Sequence, residues 1–227
     1  WFGVKGKKNI WVISEIYYPV DVSTGYYITE IAESLAKEDF TVNVLTSTST
    51  YGVITKKIKS EEVWKNVYIK RVNTLFTKNN KTIKRVINAF YVSLRLSIKL
   101  LANSKKGDKV LAVTNPFFLI LFLPLICLIK ELDYTLLVHD VFPENLFAIK
   151  DKKRKGLLDL LLLKLFNKAY SKPNRCIAIG RDMASILEEK GAKNIHFIPI
   201  WSQDKEILPI NKKKTIFLKE NNLCNSF

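Results

Sequence analysis

The feature that most constrains this chain is an alternation of short apolar runs with longer one-sided helical patterns. Residues 9–14 (NIWVIS) form an apolar run, followed by a polar turn. From Tyr26 to Lys37 the apolar positions Ile28, Ile31, Ala32 and Leu35 fall at the spacing of one helix face, and 41–45 (TVNVL) reads as a second strand. Strand, helix and strand in that order make a crossover unit, and a right-handed crossover gives parallel strands. The pattern predicts further strands at 67–72, 109–113, 134–138, 175–179 and 195–198. It predicts helices at 84–101, 117–132, 157–170 and 181–190. Near-continuous apolar strands imply a sheet covered on both faces. The expected fold is α/β, a doubly wound, mostly parallel sheet of Rossmann-like type.

The alternation stops after Pro199. Residues 1–202 are therefore read as one domain, with 203–214 as a linker and 215–222 as a short helix. The stretch 117–129 is the most apolar but is shorter than the roughly 20 residues a bilayer span needs, so a buried core helix is expected. Trp1 to Lys8 is too short and polar for a signal peptide.

Charge and cysteine usage narrow the chemistry. Thirty-seven basic against 21 acidic side chains give a net charge of +16, which favours an anionic partner. The three cysteines, Cys127, Cys176 and Cys224, are widely spaced and include no C-x-x-C pair, so neither a disulfide framework nor a zinc site is expected. Two histidines without a carboxylate cluster argue against a catalytic metal. The first strand is not followed by G-x-G-x-x-G, which disfavours a dinucleotide redox cofactor.

Ligands of open parallel sheets bind beyond the carboxyl ends of the strands. That rule collects Glu15, Tyr17, Tyr18, Pro19, Thr24 and Gly25 after the first strand, and Thr114, Asn115 and Pro116 after the 109–113 strand. It adds His139, Asp140, Phe142, Pro143 and Glu144 after 134–138, Gly180, Arg181 and Asp182 after 175–179, and Trp201 and Ser202 after the last. Ser23-Thr24-Gly25 opens a helix, where free N–H groups and the helix dipole can cradle phosphate. A plain helix cap explains the same three residues. His139, at a strand end, can hydrogen-bond a sugar hydroxyl or phosphate near neutral pH, or it can be locked into a loop network. His196 lies within a strand and reads as structural.

Residues 84–101 carry Val86, Ile87, Phe90, Leu94, Ile98 and Leu101 along one side, with Lys81, Lys84, Arg85, Arg95 and Lys99 nearby. Two readings stand open, a sheet-covering helix with a solvated basic edge and a helix lying on an anionic membrane. The basic stretch 150–155 (KDKKRK) reads as a solvated or membrane-facing loop.

Several segments together resemble the family 4 retaining glycosyltransferases of bacterial O-antigen, capsule and exopolysaccharide assembly. They are 13–19 (ISEIYYP), Thr24-Gly25 with the helix 28–36 (ITEIAESLA), 64–72 (WKNVYIKRV), 138–144 (VHDVFPE), 177–183 (IAIGRDM) and 198–202 (IPIWS). The 138–144 segment is similar to a strand-end motif of the fucosamine-transferase-like subgroup. Where the family usually has a double glycine, this chain has Ser23-Thr24-Gly25.

The resemblance implies one half of a two-lobed GT-B architecture: an N-terminal, acceptor-side domain, with 203–227 as linker and the start of a donor domain. It implies transfer of a sugar, with retention and without a metal or other cofactor, from a nucleotide sugar to a lipid-linked saccharide, with this half inactive alone. It also implies a cytoplasmic protein, peripheral on the inner membrane face. Thr24 and Gly25 would lie near the donor diphosphate, and His139, the candidate catalytic residue, near the transferred sugar. Tyr17, Tyr18, Thr114, Asn115, Asp140, Glu144 and Arg181 complete the candidate substrate-binding set. The positive charge also fits a nucleic-acid-binding module, but no helix-turn-helix or RNP pattern is present, so no nucleic acid is expected. A self-contained sugar-nucleotide epimerase would need a glycine fingerprint and a Tyr-x-x-x-Lys pair, and neither occurs.

Overall fold

Each apolar run becomes a strand because burying it on both faces removes it from water while its backbone pairs with a neighbour. The computed structural model describes residues 8–20, 22–48, 58–76, 82–144, 156–202 and 216–221. Its strands are β1 (Lys8–Ile13), β2 (Phe40–Ser47), β3 (Glu61–Trp64), β4 (Val67–Val72), β5 (Lys109–Val113), β6 (Asp133–Val138), β7 (Arg175–Ala178) and β8 (Ile195–Phe197). The helices are α1 (Ser23–Lys37), α2 (Thr82–Asn103), α3 (Leu119–Lys130), α4 (Leu157–Tyr170), α5 (Arg181–Glu189) and α6 (Ile216–Glu220). One sheet runs β3-β4-β2-β1-β5-β6-β7-β8, with every neighbour parallel except β3, which pairs antiparallel with β4. The predicted doubly wound α/β fold is the observed one. The linker 203–214, the basic stretch 150–155, Lys81 and Cys224 lie outside the described residues.

The two faces of the sheet are built differently. On one, Ile13, Leu45, Ala112, Tyr134 and Leu136 meet α2, α3, α4 and α5 through residues such as Val92, Leu96, Leu123, Phe166 and Leu187. On the other, Val12, Val42, Val44, Ile69 and Val113 pack against Ile28 and Ala32 of α1 and against Tyr17. Trp11 donates its indole N–H to Asp108 across 2.9 Å in the interior, fixing the start of β5 beside β1.

Three expectations change. β3 lies ahead of the predicted 67–72 strand as a short edge hairpin turning through Lys65 and Asn66, both at positive φ. Its sequence Glu-Glu-Val-Trp alternates exposed and half-buried residues and has no apolar run to announce it. The second concerns α2, whose orientation the sequence left open between two readings. The stripe Val86, Ile87, Phe90, Leu94, Ile98 and Leu101 faces outward, and the helix buries Ala89, Val92, Leu96 and Leu100 with Asn88, Ser93 and Ser97. Both stripes are apolar, but the second is lined with small side chains that let the backbone approach the sheet closely. Third, α3 is an outer-layer helix, not one buried all round: Leu119, Ile120 and Leu123 are buried, and Leu125, Leu128 and Ile129 are exposed.

Candidate functional site at the carboxyl ends of the strands

The loops after β1, β5 and β6 are bound to one another by hydrogen bonds at the carboxyl edge of the sheet. The Glu15 N–H donates to the Asn115 carbonyl across 2.9 Å, and the Glu15 carbonyl accepts from the Thr46 and Ser47 hydroxyls and the Ser47 N–H. Thr114, fully buried, accepts the N–H groups of both His139 and Asp140 on its hydroxyl, at 3.1 and 3.2 Å. Each of the three loops contains a cis X-Pro bond, at Pro19, Pro116 and Pro143.

Thr114→Val would keep the shape and remove that shared acceptor. It is expected to cost about 1 kcal/mol, because two part-buried N–H groups lose their partner. Urea denaturation checks this; an unchanged midpoint would mean that other groups hold His139 in place.

Beside this edge stands the N-terminus of α1. Val22 occupies the N-cap position in an extended conformation, and no side-chain cap hydrogen bond is present among the described residues. The cap reading of Ser23 and Thr24 is therefore not the one observed, and the first turn directs backbone N–H groups to the rim. Gly25 is buried: a Cβ there would lie 2.6 Å from the Val20 carbonyl oxygen and 3.2 Å from Ile16. The glycine lets α1 sit directly on the loop after β1.

His139 is half-buried in the wall of a cavity of about 240 Å³, shared with Tyr27, Leu137, Ile177, Ile198 and Trp201. Trp201 closes this cavity by returning to α1, where its indole N–H donates to Glu30 at 2.6 Å and its carbonyl accepts from the Tyr27 hydroxyl at 3.0 Å. Burial among apolar groups lowers the imidazole pKa below its ordinary value, against an opposing pull from Asp140. His139 is thus neutral at physiological pH, able to donate one hydrogen bond and accept another. From α1 only Tyr27 and Ile31 line this cavity with His139; Thr24 and Gly25 in the first turn do not.

Other candidates are placed differently. Tyr17 is only 2% exposed and packs in the core beneath α1. Tyr18 stacks on Trp64 at 4.4 Å, and its carbonyl accepts from the buried Arg71, which is ion-paired to Glu62. The β3–β4 hairpin therefore buttresses the first loop. Glu144 does not turn to the histidine side: its carboxylate pairs at 2.6 Å with Lys190, which also donates to Asn167 of α4 and lies at the end of α5. That network belongs to the opposite helical layer, so Glu144 positions α4 and α5. Arg181 is exposed at the start of α5 with its guanidinium over Phe197, and Asp140 is exposed at the rim.

The group given no role at the sequence level is Glu15. Its carboxyl is buried, and desolvation raises its pKa to about 7. The only signal was its place immediately after an apolar strand, which does not tell that the side chain turns inward. Among the described residues, no three His, Cys, Asp or Glu side chains gather as a metal site.

An open, mostly parallel sheet whose loops gather at the carboxyl edge is a Rossmann-like fold. The chain is 32% identical over 217 residues to the probable glycosyltransferase WbjE of Pseudomonas aeruginosa, covering 92% of this chain and 52% of the relative. Among solved structures it is similar to sucrose-phosphate synthase of Thermosynechococcus elongatus, with a TM-score of 0.63, 12% identity and coverage of 96% of this chain and 53% of the other. An E. coli trehalose-6-phosphate structure bound with UDP-2-fluoro glucose gives 0.58, 12% identity and coverage of 95% and 55%. No family model matches the chain. The solved structures share the fold of this chain, and the curated relative is a probable glycosyltransferase. The chain spans about half the length of the relatives it matches.

Proposed function

We propose that this chain is the acceptor-side half of an enzyme that moves a sugar, with retention, from a nucleotide sugar to a lipid-linked saccharide during cell-surface polysaccharide synthesis. The observation that carries the reading is the tying of the loops after β1, β5 and β6 into one rim, which holds His139 beside a cavity it shares with Tyr27 and Ile31 of α1. In this reading the N–H groups at Thr24 and Gly25 face the donor diphosphate, where the helix dipole stabilises the charge that grows as the sugar departs. His139 donates to a hydroxyl of the transferred sugar, and Asn115, Asp140 and Arg181 lie along the path of the acceptor. The reaction uses no metal: the leaving diphosphate accepts the acceptor's proton. Support for a nucleotide-sugar donor comes from the E. coli structural neighbour with its bound UDP-2-fluoro glucose. The net charge of +16 suits a phosphate-bearing acceptor at the inner face of a membrane.

The test is transfer of labelled sugar from a panel of nucleoside-diphosphate sugars into lipid-extractable product by membranes containing the whole enzyme of which this chain is read as the acceptor-side half. His139→Ala is expected to lower kcat at least tenfold, about 1.4 kcal/mol of transition-state stabilisation, with a smaller change in KM. Full activity in that variant would remove the histidine from the reaction.

A further inference from the structure

The outer surface of α2, α3 and α4 has no role in the fold, and its composition is unlike that of any solvated layer. On α2 the outward stripe is Val86, Phe90, Leu94 and Ile98, with Phe90 47% exposed. α3 presents Leu125, Leu128 and Ile129, Leu128 being 76% exposed, and α4 presents Leu157, Leu161 and Leu165. The three helices pack side by side, and Phe90 meets Phe118 and Phe122 edge-on at the first junction. Neighbouring helix axes lie about 8–10 Å apart and α2 is roughly 30 Å long, so the apolar surface is on the order of 500 Å². That is at the upper end of what monomers leave in water. The outward side of α1, with Glu30, Glu33, Ser34 and Lys37, contains no exposed large apolar residue.

Charge identifies what covers the surface. The three helices contain seven basic side chains, among them Lys84, Arg95, Lys164 and Lys168, and one acidic, Asp159. Two copies meeting through this face would bring like charges together. A nucleic acid would leave the leucines without an apolar partner. An anionic bilayer satisfies both properties, taking leucine and phenylalanine into the acyl boundary and Lys and Arg among the headgroups.

We propose that the outer face of α2, α3 and α4 inserts into the headgroup–acyl boundary of an anionic phospholipid membrane. The proposal rests on the membrane-facing reading above and deepens it by naming the inserting surface. These helices follow β4, β5 and β6 and start at the carboxyl edge of the sheet, on the face away from α1 and the His139 cavity. Among the described residues no helix is long and apolar enough to cross the membrane, and the contact is a flat one.

Flotation with vesicles of phosphatidylcholine alone, and of phosphatidylcholine with phosphatidylglycerol, tests it on the purified chain. Binding to the anionic vesicles is expected, at least tenfold tighter than to neutral ones, weakened by high salt but not abolished. Ile98→Gln/Leu128→Gln/Leu161→Gln is expected to lose at least tenfold in partitioning. Lys164→Gln/Lys168→Gln should lessen the preference for phosphatidylglycerol. The substituted positions are exposed, so unfolding transitions should match those of the parent, and Ser34→Gln on the exposed side of α1 serves as a matched variant with unchanged binding. Undiminished binding by the apolar triple variant, equal binding to both vesicle types, or a sedimenting dimer that ignores vesicles would each overturn the proposal. The readout involves no sugar donor or acceptor, so its failure leaves the transfer reading standing, and a failed transfer assay leaves the vesicle result standing.

Discussion

Glu15→Gln is expected to raise the stability of the folded chain by roughly 2–3 kcal/mol near pH 8 and to change it little near pH 4, an unusual gain for a buried position. Burial holds this carboxyl protonated until about pH 7, whereas its unfolded value is 4.5. Between those two values the folded state keeps a proton that the unfolded state has released. Stability attributable to Glu15 is therefore fully present below pH 4.5, falls as pH rises to about 7, and stays at its lower level above. Glutamine has the same shape and no charge to desolvate, so the penalty disappears with the carboxylate. Burial also lowers the pKa of His139, which acts in the opposite sense by weakening the fold as pH falls below the ordinary histidine value. His139 is present in both proteins, so it cancels from the difference. Urea unfolding of parent and variant at both pH values checks the point. A difference that does not vary with pH would mean that the Glu15 carboxylate reaches water.

The second large effect is at Gly25. Alanine improves helix propensity by about 1 kcal/mol, but here its Cβ would meet a backbone carbonyl 2.6 Å away, and backbone cannot rotate aside. Gly25→Ala is expected to cost about 1–3 kcal/mol net, as overpacking in a close contact does. Because α1 must move off the loop at Val20, the distance between its first N–H groups and the rim changes too. Thermal unfolding measures the first consequence, and loss of sugar transfer beyond what the stability change explains measures the second. A variant as stable and as active as the parent would show that α1 can withdraw without harm.

How far the sequence disclosed this molecule depends on how local each signal was. β1, β2 and β5 through β8 were legible because their apolar runs are continuous, and α1 and α4 because their periodicity or composition left one choice. The edge strand β3 was not, since its pairing to β4 is tertiary and its residues alternate without a hydrophobic run. α2 is legible as a helix, but which of its two apolar stripes meets the sheet is not, because only packing selects the one with Ala89, Ser93 and Ser97. His139 and Asp140 followed from the strand-end rule alone. The same rule could not tell that Glu144 turns to Lys190 on the other layer, that Tyr17 goes into the core, or that Glu15 is buried with its charge suppressed. Those outcomes depend on where a side chain points, which packing decides.

The central claim is that the α1 N-terminus and His139 form one ligand-facing lip. Amide-resolved NMR of the chain, titrated with nucleoside-diphosphate sugars and with a short-chain polyprenyl-diphosphate saccharide, tests it most directly. The largest shifts are expected at Thr24, Gly25, Asn115, His139 and Asp140, with α2 outside the response in the absence of lipid. Shifts confined to the amino-terminal edge of the sheet, or to the Glu144–Lys190 side with His139 unmoved, would contradict it.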